Sequence, residues 1–144
     1  MTYALFSNLQ AGVEYNPRAE DVRPLLNWRL LAEQGRRPAV ILGTSSDRIG
    51  TPSGQAFYLT VSKDLKEWAG LPIAPYAGVA YGSYEHRTRA IGGLNVSFPA
   101  RLSALVLYDG VHVHPTLSFG HRQHIFSLLF VRARDVGASY SLRF

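Results

Sequence analysis

Four of the chain's five histidines, His112, His114, His121 and His124, fall within thirteen positions, the densest grouping of metal-ligating or proton-transferring side chains in the sequence. Neutral imidazole is a common transition-metal ligand, and a histidine beside a serine can activate it as a nucleophile. Either chemistry requires the side chains to converge. On an extended strand His112 and His114 share a face about 6.5–7 Å apart, whereas His124 points to the other face and His121 sits in a turn. Ser118 shares the face of His114 but lies about 13 Å along the strand, beyond hydrogen-bond reach. Asp109 belongs to a turn, and no GxSxG elbow occurs. Gly78, Gly82, Gly92 and Gly93 lack the strand-to-helix setting of a phosphate loop. These residues predict no catalytic, cofactor or metal site and weigh against an enzyme; a lipid hydrolase in which Ser118 takes its base from a neighbouring strand is the sharpest enzymatic alternative.

The elements that must position these residues are strands. Alternation of period two runs through residues 3–15, 25–33, 38–46, 55–63, 73–84, 89–98, 102–108, 111–119, 124–132 and 136–144, separated by Asn16-Pro17, Gln34-Gly35, Thr51 to Gly54, Pro99-Ala100, Asp109-Gly110, Gly120 and Asp135. Roughly two-thirds of the chain becomes strand, against about 20–25% in an average soluble domain, an excess that suits a closed up-and-down barrel. The candidate helix at residues 19–34 is interrupted by Pro24. No run reaches the roughly 18 apolar residues that a membrane helix needs, so a helical membrane protein is excluded. The 144 residues predict one domain.

The C-terminal half predicts a register. Asp109-Gly110 is a two-residue hairpin signal that sets Tyr108 opposite Val111, Val106 opposite Val113, Ala104 opposite Pro115 and Leu102 opposite Leu117. A single apolar face results, with Ser103, Leu105, Leu107, His112, His114, Thr116 and Ser118 on the other. A four-residue turn at Gly120 to Gln123 pairs Phe119 with His124 and keeps Phe126, Leu128 and Phe130 on the apolar face. A connection at Ala133 to Asp135 adds Val136, Ala138, Tyr140, Leu142 and Phe144, with Gly137, Ser139, Ser141 and Arg143 opposite. The first strand alternates likewise and is expected to pair with the last, which would leave no open edge.

The polar face is rich in Ser, Thr, Gly, Asn and His rather than Lys and Glu, which suits a crowded lumen better than a solvated surface. Gly78 and Gly82 alternate there with Tyr76, so that absent side chains make room for large ones. Glu14, Arg29, Glu33, His112, His114 and Arg143 are the predicted polar lumen residues, the ions pairing across the interior. On the outer face Tyr3, Phe98, Phe119 and Phe144 approach one rim and Tyr15, Tyr81, Tyr108 and Phe130 the other, as in the aromatic girdles of membrane barrels. The expected fold is therefore all-β, a closed antiparallel up-and-down transmembrane β-barrel of about ten strands, eight being possible.

Residues 136–144, VGASYSLRF, resemble the C-terminal signature of bacterial outer-membrane proteins, with Phe144 last and Leu142, Tyr140, Ala138 and Val136 at alternate positions before it. The resemblance implies residence in the outer membrane and reading of this segment by the insertion machinery. PAVILGTSSDRIG and FYLTVSKDL are weakly similar to segments of exopolysaccharide-associated outer-membrane proteins. Residues 1–10 lack the parts of a secretory signal, so the membrane reading expects a mature or excerpted chain.

The net charge of +5 arises from thirteen Arg and two Lys against ten acids, scattered without a basic stripe, so nucleic acid is not an expected partner. The absence of cysteine removes disulfides and thiolate sites. Leu105, Leu107, Leu129 and Val131 point inward and predict an occluded lumen, hence a structural or assembly role with the lipid bilayer and a larger membrane assembly as partners. A narrow pore and a soluble β-barrel binding module remain alternatives.

Overall fold

A computed structural model describes residues 2–16, 21–47 and 51–142. Eleven strands follow one another: β1 (Thr2–Phe6), β2 (Leu9–Asn16), β3 (Asp21–Leu31), β4 (Ala39–Ser46), β5 (Gln55–Ser62), β6 (Ile73–Gly82), β7 (Arg87–Ser97), β8 (Leu102–Tyr108), β9 (Val113–His121), β10 (His124–Val131) and β11 (Asp135–Leu142). They form one antiparallel up-and-down sheet in sequence order, with β1 and β11 at its ends. The expected pairing of first strand with last is not among the described ladders. A one-turn helix, α1 (Lys66–Ala69), and a 3-10 turn at Pro99–Arg101 are the helical elements described, and among the described residues no helix is long and apolar enough to cross a membrane. The chain divides into two compact units, Met1–Lys63 with Ala77–Ala90, and Asp64–Tyr76 with Ile91–Phe144.

In the first unit the expected strand at residues 3–15 is two strands, which makes the count eleven rather than ten. The chain turns at Ser7-Asn8, where the Asn8 carbonyl accepts the Arg29 amide at 2.8 Å and the Ser7 carbonyl accepts Arg29 Nη2 at 2.7 Å. A two-residue turn sets Phe6 opposite Leu9 and would exchange odd and even positions between faces. A register shift between Ala4 and Phe6 inserts one extra residue and restores the parity, so that Tyr3 lies opposite Ala11. Alternation therefore reads straight through the hairpin. β3 starts earlier than expected and contains Pro24, opposite Val13; the ladder to β4 begins only at Leu26, so the missing N–H interrupts no pairing on that side.

In the second unit the two predicted hairpin pairings are corrected by two residues, and the third connection is Arg132 to Arg134 rather than Ala133 to Asp135. The β8–β9 turn holds four residues, Asp109 to His112, rather than two, and pairs Tyr108 with Val113 and Val106 with Pro115. Its cause is the Asp109 side chain, whose Oδ1 accepts the amides of Val111 at 2.8 Å and His112 at 2.7 Å and holds the wider loop open. The β9–β10 turn is the reverse case: only Arg122 and Gln123 connect His121 with His124, and Phe119 lies opposite Phe126. Arg122 takes the left-handed conformation, φ 53°, that so short a turn demands. A shift of two preserves the face of every residue, so the predicted sides survive the wrong partners.

Burial follows these faces. Leu26, Trp28, Leu42, Phe57, Leu59 and Val61 in the first unit, and Val106, Leu117, Phe119, Phe126, Leu128 and Tyr140 in the second, are all exposed. Ala39 and Ala56 are the buried apolar residues among those described. The opposite face is more enclosed, and it contains the fully buried side chain of His114.

Candidate functional site

The most constrained polar arrangement is built at the β8–β9 turn. Asp109 Oδ1 takes the two turn amides, and Oδ2 accepts His114 Nε2 at 2.9 Å. The Arg132 amide, from the β10–β11 turn, donates to His114 Nδ1 at 3.2 Å. Nδ1 is therefore an acceptor and Nε2 carries the ring hydrogen, which fixes the tautomer. The imidazole ties the two turns together. Burial pushes the Asp109 carboxyl up, but the His112 amide, the His114 ring and the Val111 amide outweigh it and hold it below its ordinary value of 3.8. The His112 ring packs edge-on to His114 with centroids 6.4 Å apart, and its Nδ1 is buried without a hydrogen-bond partner.

This geometry assigns His114 a positioning role in the fold. Both ring nitrogens are engaged, leaving no lone pair to bind a metal or to serve Ser118 as a base. Ser118 Oγ instead shares a hydrogen with Ser127 Oγ across the β9–β10 ladder at 2.8 Å. His124 Nδ1 meets the Tyr140 hydroxyl at 2.7 Å, and the two rings stack with centroids 5.8 Å apart. Among the described residues no three His, Asp or Glu side chains gather as a metal site would require.

The first unit organises its polar face around glycine. Asn27, Gly43 and Tyr58 are consecutive partners across β3, β4 and β5, and the Tyr58 hydroxyl reaches over Gly43 to donate to Asn27 Oδ1. A Cβ at Gly43 would stand 2.5 Å from both the Leu26 carbonyl and the Tyr58 ring. The same device recurs in the second unit, where the Tyr76 ring lies against Gly93. Asp47 Oδ2 accepts the Tyr84 amide at 2.9 Å, and its carboxylate occupies the space that a side chain at Gly82 would need. The expected role of glycine in making room thus falls on Gly43 and Gly93 for tyrosines and on Gly82 for a carboxylate.

The remaining expected lumen residues lie apart. Glu14 Oε2 accepts the Ser46 hydroxyl at 2.8 Å, Arg29 binds the Ser7 carbonyl, and Glu33, in the β3–β4 connection, meets Lys63 Nζ at 2.5 Å. Arg143 lies outside the described residues. Of the rim aromatics, Tyr108 and Phe130 flank the turns at 109–112 and 132–134, while Phe98 and Phe119 lie toward the opposite end of the second unit. Tyr15 and Tyr81 stand near the ends of β2 and β6, and Tyr3 lies opposite Ala11 within β2. In the terminal segment Val136, Ala138 and Tyr140 pair with Phe130, Leu128 and Phe126 on the apolar face. Leu142 pairs with His124, and Phe144 lies outside the described residues.

Sequence reasoning recognised Asp109 only as a turn former and did not find Asn27, Asp47 or the Arg132 amide. The order Asp109-Gly110-Val111-His112 carried a usable signal, since an aspartate opening a turn can accept amides two and three residues onward. No protein-family model, curated protein or solved structure matches the chain.

Proposed function

We propose that the sheet closes into a small barrel in the bacterial outer membrane, with an occluded lumen and a structural or assembly role. The observation that carries this reading is the inversion of burial. Large apolar side chains occupy the exposed positions of ladder after ladder, while the fully buried side chain among the described residues is the histidine bound to Asp109. Burying a large apolar side chain is worth about 1.5–3 kcal/mol, and lipid recovers for these residues what water denies them. The small or polar residues opposite, Ser118, Ser127, Asn27 and Gly137 among them, then face inward. Leu105, Leu107, Leu129 and Val131 share that side in the second unit and leave little room for ions.

Eleven antiparallel strands alter the geometry of closure. Ten would return the last strand antiparallel to the first; eleven leave β1 and β11 running the same way, so the closing ladder is parallel. An odd strand number is compatible with a membrane barrel, and hydrocarbon penalises open edges by several kcal/mol per unsatisfied backbone group. The resemblance of residues 136–144 to the outer-membrane insertion signature supports the location.

Electrophoresis of chain refolded in detergent tests the reading. A closed barrel migrates faster unheated than boiled, and planar bilayers containing it conduct little or no current. A chain that stays monodisperse without detergent contradicts membrane residence. Large stable conductance steps replace the occluded barrel with a pore.

A further inference from the structure

Arg101 and Arg122 stand at the same end of the second unit on two turns, Pro99–Arg101 before β8 and Arg122-Gln123 between β9 and β10. With Ser103, Ser118, Gly120 and Ile125 they line a cleft of about 440 Å³. No carboxylate lines it, and among the described residues neither guanidinium has an ion-pair or hydrogen-bond partner. This distinguishes them from Arg23 and Arg89, which pair with Asp21 and Glu85.

The backbone holds both arginines in conformations that ordinary residues avoid. Arg101 has φ 62° after Ala100 at 59°, and Arg122 has φ 53°. Such positions are usually left to glycine, because a Cβ is disfavoured there. Gly120 bears no side chain where the turn crosses it; a Cβ there would lie 3.7 Å from the Arg101 carbonyl and 3.9 Å from its Cβ. Two guanidiniums unpaired among the described residues, with the hydroxyl of Ser103, present donors to a common volume. Guanidinium forks match the oxygens of a tetrahedral oxyanion and bind them with charge-assisted hydrogen bonds.

We propose that this cleft is a phosphate-binding site, taking either a free phosphate or the phosphomonoester of a lipid headgroup, with Arg101 and Arg122 as its charged ligands. The two sources share the same chemistry at the site. The proposal stands independently of whether the apolar face meets lipid.

Isothermal titration of the full chain, refolded in a neutral detergent, separates the possibilities. One arm uses inorganic phosphate and the other a short-chain phosphatidic acid, with phosphatidylcholine of the same chain length as control. Saturable binding in the first arm identifies soluble phosphate; binding confined to phosphatidic acid identifies the lipid. In either case Arg101→Gln and Arg122→Gln should each weaken binding roughly tenfold or more, as expected for loss of a hydrogen-bonded charge. Arg122→Gly keeps the test informative about folding, because glycine suits that left-handed position better than arginine does. It should retain the heat-modifiable gel shift, if wild type has one, and wild-type circular dichroism, yet lose affinity to the same degree. Absence of binding in both arms, or affinity unchanged in folded Arg122→Gly and Arg101→Gln chains, overturns the proposal.

Discussion

Each unit of the chain hangs a turn on an aspartate, yet the two make room for it differently. In the first, Asp47 reaches the Tyr84 amide directly, across space left open by Gly82. In the second, Asp109 spends one oxygen on its own turn and reaches the next through the buried ring of His114. The turns differ as well. Gly35 and Gly54 supply positive φ in the first unit alongside His86, whereas the second, besides Gly70 and Gly110, places Ala100, Arg101, Arg122, Arg132 and Ala133 there. The aspartate-held turn of the first unit is thus sensitive to atoms added at Gly82, and that of the second to the loss of the His114 side chain.

Replacing His114 should have the largest effect. His114→Ala removes a partner from the Asp109 carboxylate, orphans the Arg132 amide and opens a cavity, which should cost about 3 kcal/mol. Urea unfolding of the detergent-refolded chain measures it. A loss below that of Ser127→Ala would show that the buried ring does not tie the turns together.

Gly43→Ala comes next. Its Cβ meets backbone and aromatic ring at 2.5 Å, so overpacking should cost about 2 kcal/mol, while Gly137→Ala, whose nearest neighbour is the Leu129 carbonyl at 3.8 Å, should change stability by less than about 0.5 kcal/mol. Equal unfolding midpoints for the two variants would show that the close approach at Gly43 does not penalise a side chain there.

The two units also differ in how far they were legible in sequence. Faces were readable throughout, because side-chain parity survives any even register shift; this is why Val106, Leu117, Phe126 and Tyr140 share a side although two hairpins paired differently from expectation. The β1–β2 hairpin was hidden by the bulge that restores parity around a turn lacking both Gly and Pro. The Asp109 loop was hidden because a side chain, rather than the Asp-Gly backbone preference, sets its width. His114 was placed on the correct face, but the engagement of both its nitrogens depends on the Arg132 amide eighteen residues away. The arginine cleft left no pattern, since left-handed turns at non-glycine residues are not encoded in alternation.

Acid should act on the Asp109 turn by a smaller amount. The Asp109 carboxyl is depressed in the folded chain, so its contribution is complete above the ordinary value of 3.8 and is lost as the pH falls through the lower folded value. Asp109→Asn should cost about 1.5 kcal/mol at neutral pH and flatten the decline in stability below about pH 4. Parallel declines for wild type and variant, followed by urea midpoint against pH, would contradict the assignment. A further small effect, of opposite sign, is expected at Ala133, φ 54°, where Ala133→Gly should relieve the turn and raise stability by about 0.5–1 kcal/mol.

The exposure of Trp28 offers the most direct test of what meets the apolar face. It lies on β3 opposite Leu9 and Leu42 and is 44% exposed. In a Trp68→Phe chain, leaving Trp28 as the single tryptophan, reconstitution into vesicles of bromine-labelled phosphatidylcholine should blue-shift its emission and quench it strongly relative to unlabelled vesicles. Emission unaffected by the bromines, from chain that remains in the aqueous phase, would contradict a lipid-facing sheet.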